Sequence, residues 1–253
     1  VSGDRWVAAW GQFLAGGLLV LPVLVVIGLP GTEATPFLLG SSLVHVVYVT
    51  ALARAYTHGD FSLSYPLARG GGAMLAALGG ALLLDDALGS WQWAAILVVG
   101  GGLISLTGRG ASNRAIAWAS LTALTIATYT LIDAAGARTS ASGVTYGLAL
   151  MPVSALAISV AGIAGGRVPD LVDSLRTQWW RYLLGGAAIT AAYTMVLVAV
   201  RLAPVGYVTM LRESSVVLGA LLGWVLLHER LGGRRVVSSL VVAAGLVLLI
   251  VAS

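Results

Sequence analysis

Hydrophobic residues follow one another in nine long runs, separated by short segments that contain polar residues, proline or glycine. Each run has roughly 20 mostly apolar residues, the length that an α-helix needs to cross a hydrocarbon layer about 30 Å thick. Because backbone amides in hydrocarbon must be paired within the chain, and the runs are too long for barrel strands, the pattern predicts transmembrane helices. The predicted helices are A (6–28), B (37–56), C (61–84), D (91–107), E (115–136), F (144–165), G (179–200), H (204–227) and I (236–252).

Composition supports this interpretation and narrows the chemistry. Of the 253 residues, 58% are apolar and 9% are charged, whereas a soluble chain is typically about 25% charged. The chain has no cysteine and only three histidines, at unrelated positions, so we expect no disulfide, metal centre or cofactor. No nucleophile motif is present, which argues against an intramembrane enzyme. The predicted fold class is an all-α membrane protein, a polytopic helical bundle.

The connections between the runs carry an uneven distribution of arginine, and all fourteen cationic side chains are arginine. These charges are scattered rather than clustered, so a nucleic-acid partner is not expected. The longest connection, 166–178, carries charges of alternating sign, as a solvated surface segment does. The side that bears the N-terminus is predicted to be cytoplasmic because it has most of the arginines. That side has Arg5, Arg109, Arg114, Arg167, Arg176, Arg181, Arg230, Arg234 and Arg235, and the other has Arg138 and Arg201.

The sequence also contains an internal repeat. At an offset of 143 positions, residues 69–89 align with 212–232 and nine of the 21 positions are identical, including Arg69 with Arg212. The alignment divides the chain into a first repeat, 1–108, and a second repeat, 109–253. Helices C and H lie five spans apart and therefore run in opposite directions, so the repeats are inverted, as in many transporters. Helix E has no counterpart in the first repeat, and we expect that one helix precedes residue 1.

Three features together resemble the EamA type of the drug/metabolite transporter superfamily. They are the five-helix repeat, a carboxylate at the end of the fourth helix of each repeat (Asp86 and Glu229), and the run from Tyr65 to Gly70. The resemblance covers essentially the whole chain. It implies a ten-helix protein of the bacterial inner membrane, a multi-pass plasma-membrane location, that moves small metabolites, amino acids or drugs, often outwards. We interpret Asp86 and Glu229 as interfacial residues rather than solute ligands.

Five polar side chains are predicted to share one layer inside the membrane. An ionisable group at bilayer depth costs at least about 2.5 kcal/mol, so it is expected to face a cavity or a partner. Arg212 is expected to pair with Asp133 or Glu213, and a bound solute anion would then replace that partner. The alternative is that Arg212 and Glu213 only join two helices. The layer consists of Arg212, Glu213, Asp133, His45 and Tyr193.

Helix E carries a polar stripe at three- and four-residue spacing, which places its members on one face. The stripe either lines a solute cavity or makes hydrogen bonds between helices, and it consists of Trp118, Thr122, Thr125, Tyr129 and Asp133. Asp133 is also the candidate site for a coupling proton, because a low-dielectric bundle disfavours a charged carboxylate that no arginine pairs with. Tyr48 on helix B is a further candidate ligand. Arg69 is the repeat equivalent of Arg212, but the sequence places it about 10 Å from the opposite side of the membrane.

These residues favour a secondary active transporter of a small polar or amphipathic metabolite, an exporter that works by alternating access. Its expected partners are the solute, the lipid bilayer and, as the coupling ion, protons. A non-transporting structural or accessory membrane protein is the alternative. The sequence does not determine the substrate or the oligomeric state.

Overall fold

The computed structural model describes residues 4–58, 61–105, 112–215, 218 and 233–251. In these ranges the chain forms helices and no strand. A 3-10 turn, Thr32–Ala34, precedes the second helix. The α-helices are α1 (Arg5–Ile27), α2 (Thr35–His58), α3 (Phe61–Leu83), α4 (Ser90–Ser105), α5 (Asn113–Thr139), α6 (Gly143–Ala164), α7 (Val168–Ala199), α8 (Val205–Arg212) and α9 (Gly233–Val251).

Six segments of the described chain are long and apolar enough to cross a membrane, and they contain helices α1, α2, α3, α5, α6 and α7. Helix α4 and residues 237–251 of α9 form shorter apolar helices. The predicted fold class, an all-α membrane protein built as a polytopic helical bundle, is confirmed. Most predicted helix ends differ from the observed ones by only a few residues.

Two predicted helices differ more from the structure. Helix G was expected to start at residue 179, but α7 already starts at Val168. Residues 166–178 are therefore mostly helical, with Asp170, Asp173 and Arg176 exposed on one side while Leu171 is buried. Helix H was expected to be continuous, but α8 ends at Arg212 and the next residue lies in a turn. Most of the rest of predicted helix H lies outside the described residues.

The chain divides into two compact units. Unit 1 consists of Val1–Ala53 and Thr128–Leu202, and unit 2 consists of Arg54–Ala127 and Ala203–Ser253. Each unit thus takes helices from both predicted repeats. The predicted repeats, 1–108 and 109–253, are defined by sequence similarity, whereas the two units are defined by packing. The division into repeats therefore stays a prediction.

In unit 1, helix α1 packs against both α6 and α7, and α6 packs against α7. Glycines allow the backbones of α1 and α7 to approach closely, as small residues do in membrane helix interfaces. A Cβ atom on Gly186 would lie 2.6 Å from the carbonyl oxygen of Gln12 and 2.6 Å from the amide nitrogen of Gly16. The indole nitrogen of Trp10 also donates to the Ser159 hydroxyl at 2.8 Å, which links α1 to α6.

In unit 2, helices α3, α4, α8 and α9 pack around an apolar core. The contact between α4 and α9 is reciprocal: a Cβ atom on Gly102 would lie 2.9 Å from Cγ2 of Val242, and one on Gly245 would lie 2.7 Å from Cγ2 of Val99. Gly102 and Gly245 are 143 positions apart, and so are Val99 and Val242. The two helices therefore use equivalent residues at the same offset as the sequence repeat, the pattern of a two-fold interface.

Candidate functional site

Asp133 lies on α5 in unit 1 and is completely buried. Its carboxylate accepts hydrogen bonds from the Tyr193 hydroxyl at 2.7 Å, on Oδ2, and from the Tyr146 hydroxyl at 3.1 Å, on Oδ1. The Ser41 hydroxyl also donates to this carboxylate. All three donors are neutral, so they satisfy the lone pairs of the carboxylate without cancelling its charge.

His45 lies on α2 beside this carboxylate group and is also buried. Its Nδ1 is 2.9 Å from the carbonyl oxygen of Ser41. Since a carbonyl only accepts, Nδ1 carries the hydrogen, and Nε2 of the neutral ring is an acceptor. The His45 ring stacks on Tyr129, with 4.4 Å between ring centroids, and Tyr48 and Tyr193 present edges at 6.1 and 6.5 Å.

We call this group the Asp133 cluster, and its members come from four helices of unit 1. Ser41, His45 and Tyr48 lie four and three positions apart on α2, on one helix face. A tight turn ends at Ser142, whose side chain accepts the first amides of α6, so that α6 folds back on α5. The members are Ser41, His45, Tyr48, Tyr129, Asp133, Tyr146 and Tyr193.

A second charged group, the Glu213 cluster, lies in unit 2 and consists of Arg69, Arg212 and Glu213. Glu213 is completely buried. Nε of Arg69 donates to Oε2 of Glu213 at 3.2 Å, and Nη2 of Arg69 lies 2.9 Å from Oε1. Nε of Arg212 is 3.8 Å from Oε1, too far for a hydrogen bond. The guanidinium of Arg69 lies 5.8 Å from the centre of the Tyr65 ring, within cation–π range.

The five side chains that were predicted to share one layer divide between the two units. Asp133, His45 and Tyr193 belong to the Asp133 cluster, which also contains the predicted ligands Tyr48 and Tyr129. Arg212 and Glu213 belong to the Glu213 cluster. In the sequence analysis, Arg69 was placed near the opposite membrane side from its partner, but its long side chain reaches Glu213 directly.

The residues of the polar stripe on α5 make two different kinds of contact. Tyr129 and Asp133 belong to the Asp133 cluster. The Thr122 hydroxyl, however, donates to the Trp118 carbonyl at 2.8 Å, and the Thr125 hydroxyl donates to the Thr122 carbonyl at 2.8 Å. The backbone of their own helix satisfies these two hydroxyls. This arrangement is neither the predicted lining of a solute cavity nor the predicted hydrogen bonding between helices. The Trp118 ring is half-buried.

Sequence reasoning missed two ligands of the Asp133 carboxylate, Ser41 and Tyr146. Ser41 precedes His45 by one helical turn, so the spacing on helix B could have indicated it. Tyr146 lies in the first turn of α6, and the short connection between helices E and F places that turn beside the end of α5. The position of Tyr146 in that turn could therefore have indicated a contact with Asp133.

Asp86 contacts the start of α8. Its Oδ2 accepts the backbone amide of Val205 at 2.6 Å, at the first residue of α8. This contact satisfies one of the amides that a helix N-terminus leaves without a partner. Glu229, the equivalent residue of the second repeat, lies outside the described residues. In the described part of the chain no group of three or more metal-ligating side chains occurs.

Comparisons with known proteins identify the fold and the family of this chain. A solved structure described only as "Crystal structure of protein" is similar to this chain with a TM-score of 0.77, at 14% sequence identity over 99% of this chain and 89% of that one. At this identity the likeness shows the fold alone. A search of curated proteins finds no match. The sequence model of the EamA-like transporter family matches residues 113–251, more than half of the chain. The chain therefore belongs to the EamA-like transporter family, a family of membrane transporters.

Proposed function

We propose that this protein is a secondary active transporter that exports a small polar or amphipathic metabolite by alternating access, and that Asp133 carries the coupling proton. The family supplies the general role of a membrane transporter. The substrate, the direction, the proton and a location in the bacterial inner membrane are our proposals.

The observation that carries the proposal is the burial of Asp133 among neutral donors. An ionised carboxylate inside a membrane protein is costly unless a cation or a proton neutralises it. Among the described residues no salt bridge reaches Asp133, and three hydroxyls surround it. A fixed structural carboxylate would be more stable beside an arginine. The arrangement instead suits a carboxyl group that gains and loses a proton as solute binds and leaves.

The aromatic members of the cluster suit the same function. Tyr48, Tyr129 and Tyr193 offer ring faces and hydroxyls, and His45 offers an acceptor at Nε2. Small-molecule sites commonly combine apolar surface with a few polar groups that fix orientation. The tyrosines would contact the solute while Asp133 exchanges its proton.

Solute-dependent proton release tests this proposal. Purified protein in weakly buffered detergent is mixed with amino acids, organic cations, sugars and phosphorylated metabolites, and a pH dye and the thermal unfolding midpoint are followed. A ligand that binds only the folded state raises that midpoint. We expect one solute class to stabilise the wild type and to release protons.

Two variants make the result specific. Asp133→Asn should abolish proton release, whereas Glu33→Gln, which changes an exposed carboxylate of the same unit, should leave it unchanged. Unchanged release from a folded Asp133→Asn variant would overturn the role of Asp133. No response to any solute class from folded wild-type protein would favour the accessory-protein alternative.

A further inference from the structure

The Glu213 cluster holds more positive than negative charge. Two arginines flank one carboxylate, which leaves an excess of one positive charge among the described members of the cluster. The internal repeat explains the imbalance: Arg69 and Arg212 are equivalent, but Gly70 follows the first and Glu213 follows the second. The cluster therefore contains the arginine of both repeats but a carboxylate from the second repeat alone.

Arg69 lies closer to that anion than Arg212 does. Its Nε donates to Oε2 at 3.2 Å, and its Nη2 lies 2.9 Å from Oε1 as an ion-pair contact, while Oε1 has no hydrogen-bond partner among the described residues. Glu213 thus has its counter-ion in Arg69. Arg212, at 3.8 Å from one oxygen, adds a weaker charge contact.

Arg212 itself is poorly satisfied. Its Nε is buried and has no hydrogen-bond partner among the described residues. The side chain is still 17% exposed, so part of the guanidinium remains accessible. A guanidinium carries five N–H donors, and leaving even the one on Nε without an acceptor away from water costs free energy.

The backbone places Arg212 at a break in its helix. Helix α8 ends at Arg212, and the amide of Glu213 donates to the carbonyl of Met210 at 3.0 Å, a three-residue rather than a four-residue hydrogen bond. Interrupted helices frequently border the solute sites of transporters. The end of a helix contributes only about half a negative charge, which does not neutralise the excess of the cluster.

We propose that Arg212 is the anchor for a carboxylate group of the transported solute. The exposed part of its guanidinium would accept one carboxylate, and one excess positive charge suits a monoanion better than a phosphate dianion. This inference rests on the proposed transport function for its purpose, but carboxylate binding is measurable on its own.

The test compares matched four-carbon probes: butyrate, butyramide and butylamine, with inorganic phosphate as a further arm. The thermal unfolding midpoint of the purified protein is measured against each probe at constant ionic strength set with chloride. Butyrate should raise the midpoint saturably, and the other three should not. If butyrate and butyramide act alike, or if only phosphate stabilises, the carboxylate anchor is wrong.

Variants locate the site. Loss of a charge-assisted hydrogen bond should weaken butyrate binding by about tenfold or more in Arg212→Gln. Arg212→Lys keeps the positive charge but loses the planar guanidinium, so it should retain part of the affinity for butyrate. It also tests the anchor if Arg212→Gln fails to fold. Glu213→Gln removes the competing anion and should strengthen butyrate binding. Arg54→Gln, which changes an exposed arginine of the same unit, is the matched control.

The outcomes separate this inference from the proposed function. If only neutral or cationic solutes stabilise the wild type and release protons through Asp133, the transporter proposal stands and the Arg212 anchor fails. If butyrate binds through Arg212 but no solute releases protons, the anchor stands and proton coupling at Asp133 fails. An undiminished butyrate effect in a folded Arg212→Gln variant would overturn the anchor.

Discussion

Asp133 in unit 1 and Glu213 in unit 2 are both completely buried carboxylates, yet the chain holds them by opposite means. Hydroxyl groups surround Asp133, whereas Arg69 holds Glu213 through one hydrogen bond and a close ion-pair contact. Neutral donors satisfy the oxygen atoms without cancelling the charge, and we propose that a proton cancels it. An arginine balances the charge permanently.

The comparison separates two kinds of buried charge in a membrane protein. The Glu213 cluster includes its own counter-ion, Arg69, and carries an additional arginine, on which our proposal of a carboxylate anchor depends. The Asp133 cluster contains no arginine, and our proposal of a coupling proton at Asp133 depends on this difference. Residue type alone does not distinguish these situations, because the distinction depends on which side chains meet across the helices.

The largest expected effect concerns the stability of the two clusters. Glu213→Gln leaves two arginines without a carboxylate and should lower the free energy of unfolding by about 4 kcal/mol, the cost of breaking a buried ion pair on one side. Asp133→Asn keeps an acceptor for the tyrosine hydroxyls and removes an uncompensated charge, so it should change stability by less than about 1 kcal/mol.

Unfolding of both variants in mixed detergent, followed by circular dichroism against the wild type, measures this difference. Asp85→Asn, which changes an exposed carboxylate of unit 2, is the control for removing a negative charge. Equal losses in Glu213→Gln and Asp133→Asn would contradict the distinction between the two clusters.

The sequence predicted the helices well because hydrocarbon imposes a strong constraint on length and polarity. The start of α7 was predicted wrongly, because the charges of Asp170, Asp173 and Arg176 also fit a solvated surface segment. These residues are three positions apart, the spacing of one exposed helix face. The sequence prediction also missed the end of α8 at Arg212, since a local change from four-residue to three-residue hydrogen bonding leaves no trace in composition.

The candidate sites were predictable only in part, for a physical reason. Tyr129 and Asp133 share a helix face, so their spacing was enough to associate them. The contacts of Asp133 with Tyr146, and of Arg69 with Glu213, join different helices and depend on how these helices pack. The predicted depth of Arg69 follows its Cα atom, so it gives no indication that the long side chain reaches Glu213.

The helix packing of the two units offers a sharper comparison with a smaller expected effect. Gly186→Ala in unit 1 would place Cβ against backbone atoms of α1, which cannot move aside easily, and should cost about 3 kcal/mol. Gly245→Ala in unit 2 mainly meets side-chain atoms of Val99 and Val98, which can shift, and should cost about 1 kcal/mol.

Gly101→Ala is the matched control for both glycine variants, because a Cβ atom there would meet nothing within 4 Å. It should be neutral or slightly stabilising, since alanine favours helix over glycine by up to about 1 kcal/mol. Thermal unfolding of the three variants under the same conditions measures the order of their losses in stability. An equal cost for Gly186→Ala and Gly101→Ala would show that α1 and α7 tolerate separation.

The smallest expected effect concerns two aspartates that accept helix amides. Asp86 joins α8 across 119 positions of sequence, through Oδ2 and the Val205 amide at 2.6 Å, and it is half-buried. Asp4 caps its own helix, through Oδ1 and the Trp6 amide at 2.8 Å, and its side chain is 43% exposed. Loss of a capping acceptor costs about 0.5–2 kcal/mol.

We expect Asp86→Ala to fall at the upper end of that range and Asp4→Ala at the lower end, because water can replace the acceptor only at the exposed position. Asp86→Asn keeps an acceptor oxygen and should recover most of the loss. Hydrogen exchange provides the local measurement, since amides at the start of α8 should exchange faster in Asp86→Ala alone. If Asp86→Asn and Asp86→Ala lose the same stability, charge rather than the hydrogen bond holds α8, and Asp86 would belong with the electrostatic residues of unit 2.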